Sequence, residues 1–275
     1  MRLFELPMEP TLHNRLRRRL PEPLRRAARR LLDEAPVRAR DLLMDVRDRF
    51  AGEPLPPARL RARVAGTSSR RVFATTGAEA AAAIRRVFEA TRDPAAEYPR
   101  WLDFGCGCGR VARHLAQMPE VRELSGVDID GVAIAWASKQ LPGHYETIES
   151  VPPTRLPERR YDVIYAGSVF THLPEDGQFS WLRELHRLLR AGGLLIASTH
   201  PPSLSWTRPD ISPADIGVLV SRGFLFLPGR GAFNDDAAFH SREYLLESWG
   251  AHFGLRCFLQ SGLNNYQDLA VWQKW

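Results

Sequence analysis

Apolar residues along this chain fall into two alternating patterns. Short apolar runs open at Trp101, Leu124, Tyr161 and Leu194, each four to six residues long, and read as strands. Between them, Gly131 to Leu141 reads as a helix, and so does a stretch with Phe179, Leu182, Leu185 and Leu189 on one stripe. Gly192 and Gly193 are expected to stop that second helix, since glycine favours a helix C-terminus. Strand and helix in alternation argue for a parallel sheet wound on both faces. The end of the chain breaks the alternation: after a helical pattern from Ser241 to Phe253 come two strand patterns, Gly254–Gln260 and Asp268–Trp275. Ser261 to Gln267 is too short for a helical crossover, so these two strands must form an antiparallel hairpin. Upstream, Thr76 and Glu79 have capping-box spacing and predict a helix from there to about Thr91. Two further helical patterns, 23–33 and 37–50, precede a linker at Gly52–Pro57. Pro201 to His240 has little periodicity but carries Trp206, Phe224, Phe226, Phe233 and Phe239, which suits either an ordered substrate cover or a small subsidiary core.

The chemistry concentrates where the first strand ends. Trp101-Leu-Asp-Phe-Gly-Cys-Gly-Cys-Gly-Arg110 places an acid and three alternating glycines ahead of a helix-like segment, Val111 to Gln117. Such a turn lets backbone approach a ligand and exposes the free N–H groups of a helix start. The dinucleotide fingerprint fails, because its last glycine position falls on Arg110, and no Lys follows to make a phosphate loop. Asp103 would attract a ligand ammonium and repel a pyrophosphate. Asp128 follows Gly109 by 19 positions, close to the spacing at which an acid accepts from ribose hydroxyls. Asp130 is expected to N-cap the next helix instead.

The D-x-G-x-G-x-G segment closely resembles motif I of the class I S-adenosylmethionine-dependent methyltransferases. Tyr161-Asp-Val-Ile-Tyr-Ala-Gly-Ser-Val-Phe-Thr-His-Leu173 and Leu188-Leu-Arg-Ala-Gly-Gly-Leu-Leu-Ile-Ala-Ser-Thr-His200 resemble the fourth and fifth strands of the methyltransferase-12/25-like members. Ala191 stands where that pattern usually has proline. The likeness covers about residues 60 to 275. It implies a Rossmann-like α/β fold with a mainly parallel seven-stranded sheet and a C-terminal antiparallel hairpin, and S-adenosyl-L-methionine as cofactor. Asp103, Gly105, Cys106, Gly107, Gly109 and Arg110 would then face the methionine part, as would Ala166, Gly167 and Ser168. Asp128 would hold the ribose, with Ile129, Ile148 and Glu149 about the adenine. Arg61 to Phe73 would contribute to a lid. The expected division is an Arg-rich helical arm and linker, 1–60, and a methyltransferase domain, 61–275.

Composition narrows the partners. With 275 residues, 44% of them hydrophobic, the chain can bury one substantial core. It has no run of about 18 apolar residues that would suggest a membrane span, and its first residues lack a signal-peptide apolar region. Three cysteines imply no disulfide scaffold, and Cys106 and Cys108 lie too close for zinc spacing, so no metal and a reduced, cytoplasmic protein are expected. Much of the net charge of +6 comes from residues 1–50, with 13 Arg against eight acids. Yet Lys139 and Lys274 are the only lysines, so the arginine excess runs through the whole chain. The arm is read first as a solvated or docking helical pair, next as a contact for a partner or an anionic membrane surface, and last as a nucleic-acid binder.

Methyl transfer to a hydroxyl benefits from a base. His172 and His200 follow the fourth and fifth strands at the carboxyl edge of the sheet, where ligands bind in open α/β folds. The Asp/Asn-Pro-Pro-Tyr segment used on planar amino groups is absent after the fourth strand, and His200-Pro-Pro-Ser203 lacks its aromatic residue. A small-molecule or glycan hydroxyl is the expected acceptor. Two alternatives stand beside it: a catalytically idle cofactor-binding or partner-binding module, and, disfavoured by Arg110 and the hairpin, a nicotinamide oxidoreductase.

Overall fold

Seven strands share one sheet in a computed structural model that describes residues 54–208, 210–229 and 235–275. The helices expected at 23–33 and 37–50, and Phe233, lie outside the described residues. The chain divides into compact units at Arg59/Leu60, and the sheet belongs to the second, Leu60–Trp275. The strands are β1 (Arg100–Phe104), β2 (Glu123–Asp128), β3 (His144–Thr147), β4 (Tyr161–Ala166) and β5 (Leu189–Thr199). A separate pair, β6 (Phe224–Leu227) and β7 (Ala237–His240), precedes β8 (Gly254–Leu263) and β9 (Gln267–Gln273). The large sheet runs β3-β2-β1-β4-β5-β9-β8; its first five strands are parallel, and β9 is antiparallel to both β5 and β8.

Pleating decides which side chains form each core. Trp101 and Val163 are register partners facing one layer, with Tyr165, Ile196 and Val271. Leu102 and Ile164, one position on, face the other with Leu195 and Trp272. With apolar layers on both sides, β1 and β4 are buried almost throughout. Helix α1 (Ala58–Ala65) leads to α2 (Arg70–Thr91), whose Ile84, Val87 and Phe88 fill the first layer. The short α3 (Ala112–Leu115) follows β1, and α4 (Gly131–Gln140) follows β2. Helix α5 (Glu175–Leu188) supplies Trp181, Leu182, Leu185 and Leu188 to the second layer.

The hairpin expected from the short link is present, and Asn264 and Asn265 turn it at φ 52° and 62°, a region asparagine tolerates. Two local expectations fail. Helix α2 starts at Arg70 with Ser69 as N-cap, so Thr76 is interior and its hydroxyl donates to the Val72 carbonyl instead of capping. The glycine pair does not end α5: the chain is already extended at Leu189, and Lys274 Nζ donates to the His186 and Leu189 carbonyls. Gly192 instead turns the backbone within β5 and donates to the Lys274 carbonyl at 2.8 Å. The segment from Ser241 is helical as expected, as α8 (Arg242–Ser248) continued by a 3₁₀ turn, Trp249–Ala251. The described residues of 201–240 form α6 (Pro202–Ser205), α7 (Pro213–Arg222) and the β6–β7 pair around a subsidiary core of Leu219, Leu225, Ala237 and Phe239. No helix among the described residues is long and apolar enough to cross a membrane.

Candidate functional site

The turn after β1 is held by the neighbouring strand. Gly105 and Cys106 both donate to the Val127 carbonyl, at 2.8 and 3.0 Å. Gly105 (φ 78°) and Gly107 (φ 54°) sit in the left-handed region, and a Cβ at either would collide with Val169 or Val64 respectively. Asp128, half-buried at the tip of β2, ties the loops together: Oδ2 accepts from Gly107 N at 2.7 Å and Oδ1 from Asp130 N at 2.8 Å. Burial raises its pKa, while those N–H donors oppose the rise. Each oxygen keeps a second lone pair, so the carboxylate can also accept from ribose hydroxyls. Asp130 is the N-cap of α4, accepting from Val132 and Ala133 at 3.0 and 3.2 Å. It also pairs with Arg63 of α1 at 2.5 Å, a contact no local pattern announces.

A cavity of about 610 Å³ opens beside this turn. Of the expected site residues it brings together Asp103, Gly105, Cys106, Arg110, Gly167, Ser168, His172 and His200. Gly107, Gly109, Asp128, Ile129, Ile148, Glu149 and Ala166 lie outside its lining: Gly107 is covered by Val64, Ala166 is fully buried, and Ile129 and Glu149 are exposed. Among the described residues none of 201–240 lines it, which favours the subsidiary-core reading of that segment. Val64 lines it from the stretch expected to form a lid, whereas Glu79, Tyr165, Asn264, Tyr266 and Gln267 line it and escaped sequence reasoning. The hairpin could have flagged the last three, since its turn returns to the edge of β5 beside His200.

Asp103 is 2% exposed, and its Oδ2 has no hydrogen-bond partner. Burial pushes its pKa up to about 7, against the pull of the Arg110 guanidinium and with some help from Asp128. The Arg110 guanidinium acts on Asp103 from the wall of the same cavity. An orphan carboxylate oxygen and a guanidinium lining one cavity suit the ammonium and carboxylate of an amino acid and would repel a pyrophosphate at Asp103. The residues therefore fit the methionine part of S-adenosylmethionine. Cys106 and Cys108 are buried thiols whose pKa burial raises, Cys108 to about 12, so neither is a nucleophile at neutral pH. Among the described residues no cluster of His, Cys, Asp and Glu could hold a metal.

The two candidate bases differ. The amide of Gln267 accepts through Oε1 from the hydroxyls of Ser168 (3.0 Å) and Ser198 (2.7 Å). Its Nε2 therefore donates to His200 Nε2 at 3.3 Å, and the His200 proton sits on Nδ1. Burial lowers the His200 pKa to about 4, with the nearby His172 and Arg208 adding to the fall. His200 is thus a neutral pin joining β5 to the hairpin, with its lone pair already engaged. His172, half-buried, has Nδ1 2.7 Å from the Asp236 carbonyl. A carbonyl only accepts, so the proton is on Nδ1 and Nε2 keeps its lone pair.

A larger cavity, about 710 Å³, lies at the opposite, amino-terminal edge of the sheet among Arg122, His144, Arg155 and Arg160. Arg160 is paired with Glu123 there, His144 Nε2 lies 3.4 Å from Glu146 Oε2, and no residue of the glycine turn lines it. None of the expected site residues lines it.

Residues 102–195 match a family model described as a methyltransferase domain. The chain is 33% identical over 98 residues to a probable S-adenosylmethionine-dependent methyltransferase of Mycobacterium tuberculosis, covering 36% of this chain and 34% of that protein. It is 29% identical over 113 residues to a polyamine aminopropyltransferase of Moorella thermoacetica, covering 37% and 40%. The chain thus spans well under half the length of these relatives. A solved S-adenosylmethionine-dependent methyltransferase from Clostridium acetobutylicum superposes with a TM-score of 0.54 at 11% identity, over 71% of this chain and 91% of that one, a likeness of fold alone.

Proposed function

We propose that this protein is a class I S-adenosylmethionine-dependent methyltransferase that transfers a methyl group to a hydroxyl oxygen of a small-molecule or glycan acceptor, with His172 as general base. One observation carries the reading: a single cavity is lined both by Asp103 and Arg110, which suit the two poles of an amino acid, and by His172. When bound, S-adenosylmethionine supplies a sulfonium methyl, so that a C–O bond forms while the C–S bond breaks and its electron pair leaves on sulfur.

The chain's own residues do the rest. Asp103 receives the cofactor ammonium, Arg110 its carboxylate, and Asp128 its ribose hydroxyls. His172 Nε2 takes the proton that the acceptor oxygen sheds as it bonds to carbon, and the resulting imidazolium keeps its Nδ1–H on the Asp236 carbonyl. A base is of little use to a neutral amine or a thiolate, which favours a hydroxyl. Gly167-Ser168-Val169 stands after β4 in place of the segment used on nucleobase amino groups.

Calorimetric titration with S-adenosylmethionine, followed by transfer of labelled methyl to a panel of methyl glycosides, small polyols and primary amines, tests the reading. Heat on titration and transfer to hydroxyls are expected, with His172→Ala lowering turnover about 10²–10⁴-fold. Transfer confined to amines, or turnover indifferent to His172, would overturn it. A chain that binds the labelled donor yet methylates nothing in a lysate would favour a binding-only role.

A further inference from the structure

Strand β7 belongs to the small β6–β7 pair, outside the large sheet, yet it reaches the turn that carries His172 from both of its ends. Just before it, the Asp236 carbonyl receives the His172 Nδ1 proton at 2.7 Å. At its far end, His240 Nε2 lies 2.9 Å from Gln178 Oε1. Gln178 is fully buried near the start of α5. Its Nε2 donates to the Phe170 carbonyl at 3.2 Å and to the Leu173 carbonyl at 2.9 Å, the two residues that bracket the 171–172 stretch.

Two carbonyls can only accept, so the orientation of this amide is forced, and Oε1 must face His240. His240 Nε2 must then carry its proton and donate it. Burial holds His240 neutral, its pKa lowered to about 3, and protonation would add a proton at Nδ1 without removing the Nε2 donor. The Asp236 end is braced as well, because Asp236 Oδ1 accepts from Gly229 N at 2.6 Å.

We infer that Gln178 and His240 are positioning residues: with the Asp236 carbonyl they hold the 170–173 turn so that His172 presents its Nε2 lone pair to the acceptor cavity. This rests on the methyltransferase reading for its purpose, though the geometry it predicts can be measured without an acceptor. Neither Gln178 nor His240 lines the cavity, so neither touches cofactor or acceptor. They act only through His172. The β6–β7 insertion is thereby a jig for the base as well as a separate small core. An imidazole left to itself has no such tautomer imposed, since the partner of one nitrogen decides which of the two carries the proton.

The test is the tautomer of His172, read from long-range ¹H–¹⁵N correlations of the full chain, free and saturated with S-adenosylhomocysteine. Wild type is expected to place the His172 proton on Nδ1 in both states. Gln178→Leu removes the amide altogether. Gln178→Glu keeps the shape and can accept from His240 but cannot donate to both carbonyls. In either variant the His172 signals are expected to shift toward a mixture of tautomers while S-adenosylhomocysteine affinity is unchanged. A wild-type His172 protonated on Nε2 would overturn the inference outright, whatever the variants do. So would variants that fold and leave the His172 signature untouched. Failure of S-adenosylhomocysteine to bind wild type would sink the methyltransferase reading instead, and the tautomer in the free chain would still decide the geometry.

Discussion

Asp103 sits in conflict with its own fold. Its carboxyl is buried, and burial raises the pKa to about 7, so the free protein holds a group that resists ionisation. The sign follows from linkage: a carboxyl whose folded pKa exceeds the unfolded value stabilises the protein below the unfolded pKa, near 3.8, and that contribution is lost as pH rises through about 7. A cofactor ammonium reverses the preference. Asp103→Asn should therefore raise the melting temperature of the free protein at pH 8 while weakening S-adenosylmethionine binding about 10- to 100-fold, the worth of a charge-assisted hydrogen bond. Calorimetry across pH 5.5 to 8.5 should find wild-type affinity falling below about pH 7 and the variant's affinity flat. Equal affinities for both proteins would remove Asp103 from the cofactor site. Other residues of the site differ in how readable they were. The N-cap role of Asp130 is local, made by backbone two and three residues on, so sequence spacing reveals it. The role of His200 is set by Gln267, 67 residues away, and no spacing announces that.

At the scale of elements, α1 is the piece that sequence placed only loosely, as part of a lid over Arg61 to Phe73. Ala62 to Ala65 line the cavity, Val64 rests on Gly107, and Arg63 reaches across to the N-cap of α4. The Arg63 side chain is 38% exposed, so its ion pair is of the weak, partly solvated kind, worth about 0.2–1 kcal/mol. Arg63→Ala should speed S-adenosylhomocysteine release up to about fivefold in a stopped-flow displacement, with little loss of stability. An unchanged release rate would mean α1 does not gate the site. The failed capping box has a simple reason. Thr76 and Glu79 fit a helix start as well as a helix interior, and the helix instead begins after Gly66 breaks the preceding one at φ 65° and Ser69 accepts from Val72 N.

Across the whole molecule, Asp162 joins three strands at the amino-terminal side of the sheet. It accepts from Arg100 N at 2.8 Å, from the Arg100 guanidinium at 3.0 and 3.2 Å, and from Arg190 Nε at 2.6 Å. Burial works against its ionised form, but the bonds from Arg100 and then Arg190 outweigh it and hold its pKa below the usual carboxylate range. The linkage sign is opposite to that of Asp103: the stability is present above the unfolded pKa, near 3.9, and is lost as pH falls through the lower folded value. Asp162→Asn should cost about 1.5–3 kcal/mol in urea unfolding at pH 7, with the difference narrowing below about pH 4. A constant difference across that range would show that the side chain acts through shape and not charge.

The chain by itself determined what repeats locally. The likeness of the glycine turn to a known motif implied the cofactor class; apolar runs of strand length, amphipathic stripes and a link too short for a crossover were enough to state the parallel sheet and its terminal hairpin. These depend on periodicity and on steric limits that act within a few residues. Tertiary structure alone decided which polar groups meet across the fold: Arg63 with Asp130, Gln267 with His200, Gln178 with His240, and the Asp236 carbonyl with His172. Hydrogen bonds of that kind join residues 62 to 67 positions apart, and their donor and acceptor roles are settled only when both partners are in place. That is why two histidines that looked alike in the sequence part company in the fold, one as a neutral pin and the other as the candidate base.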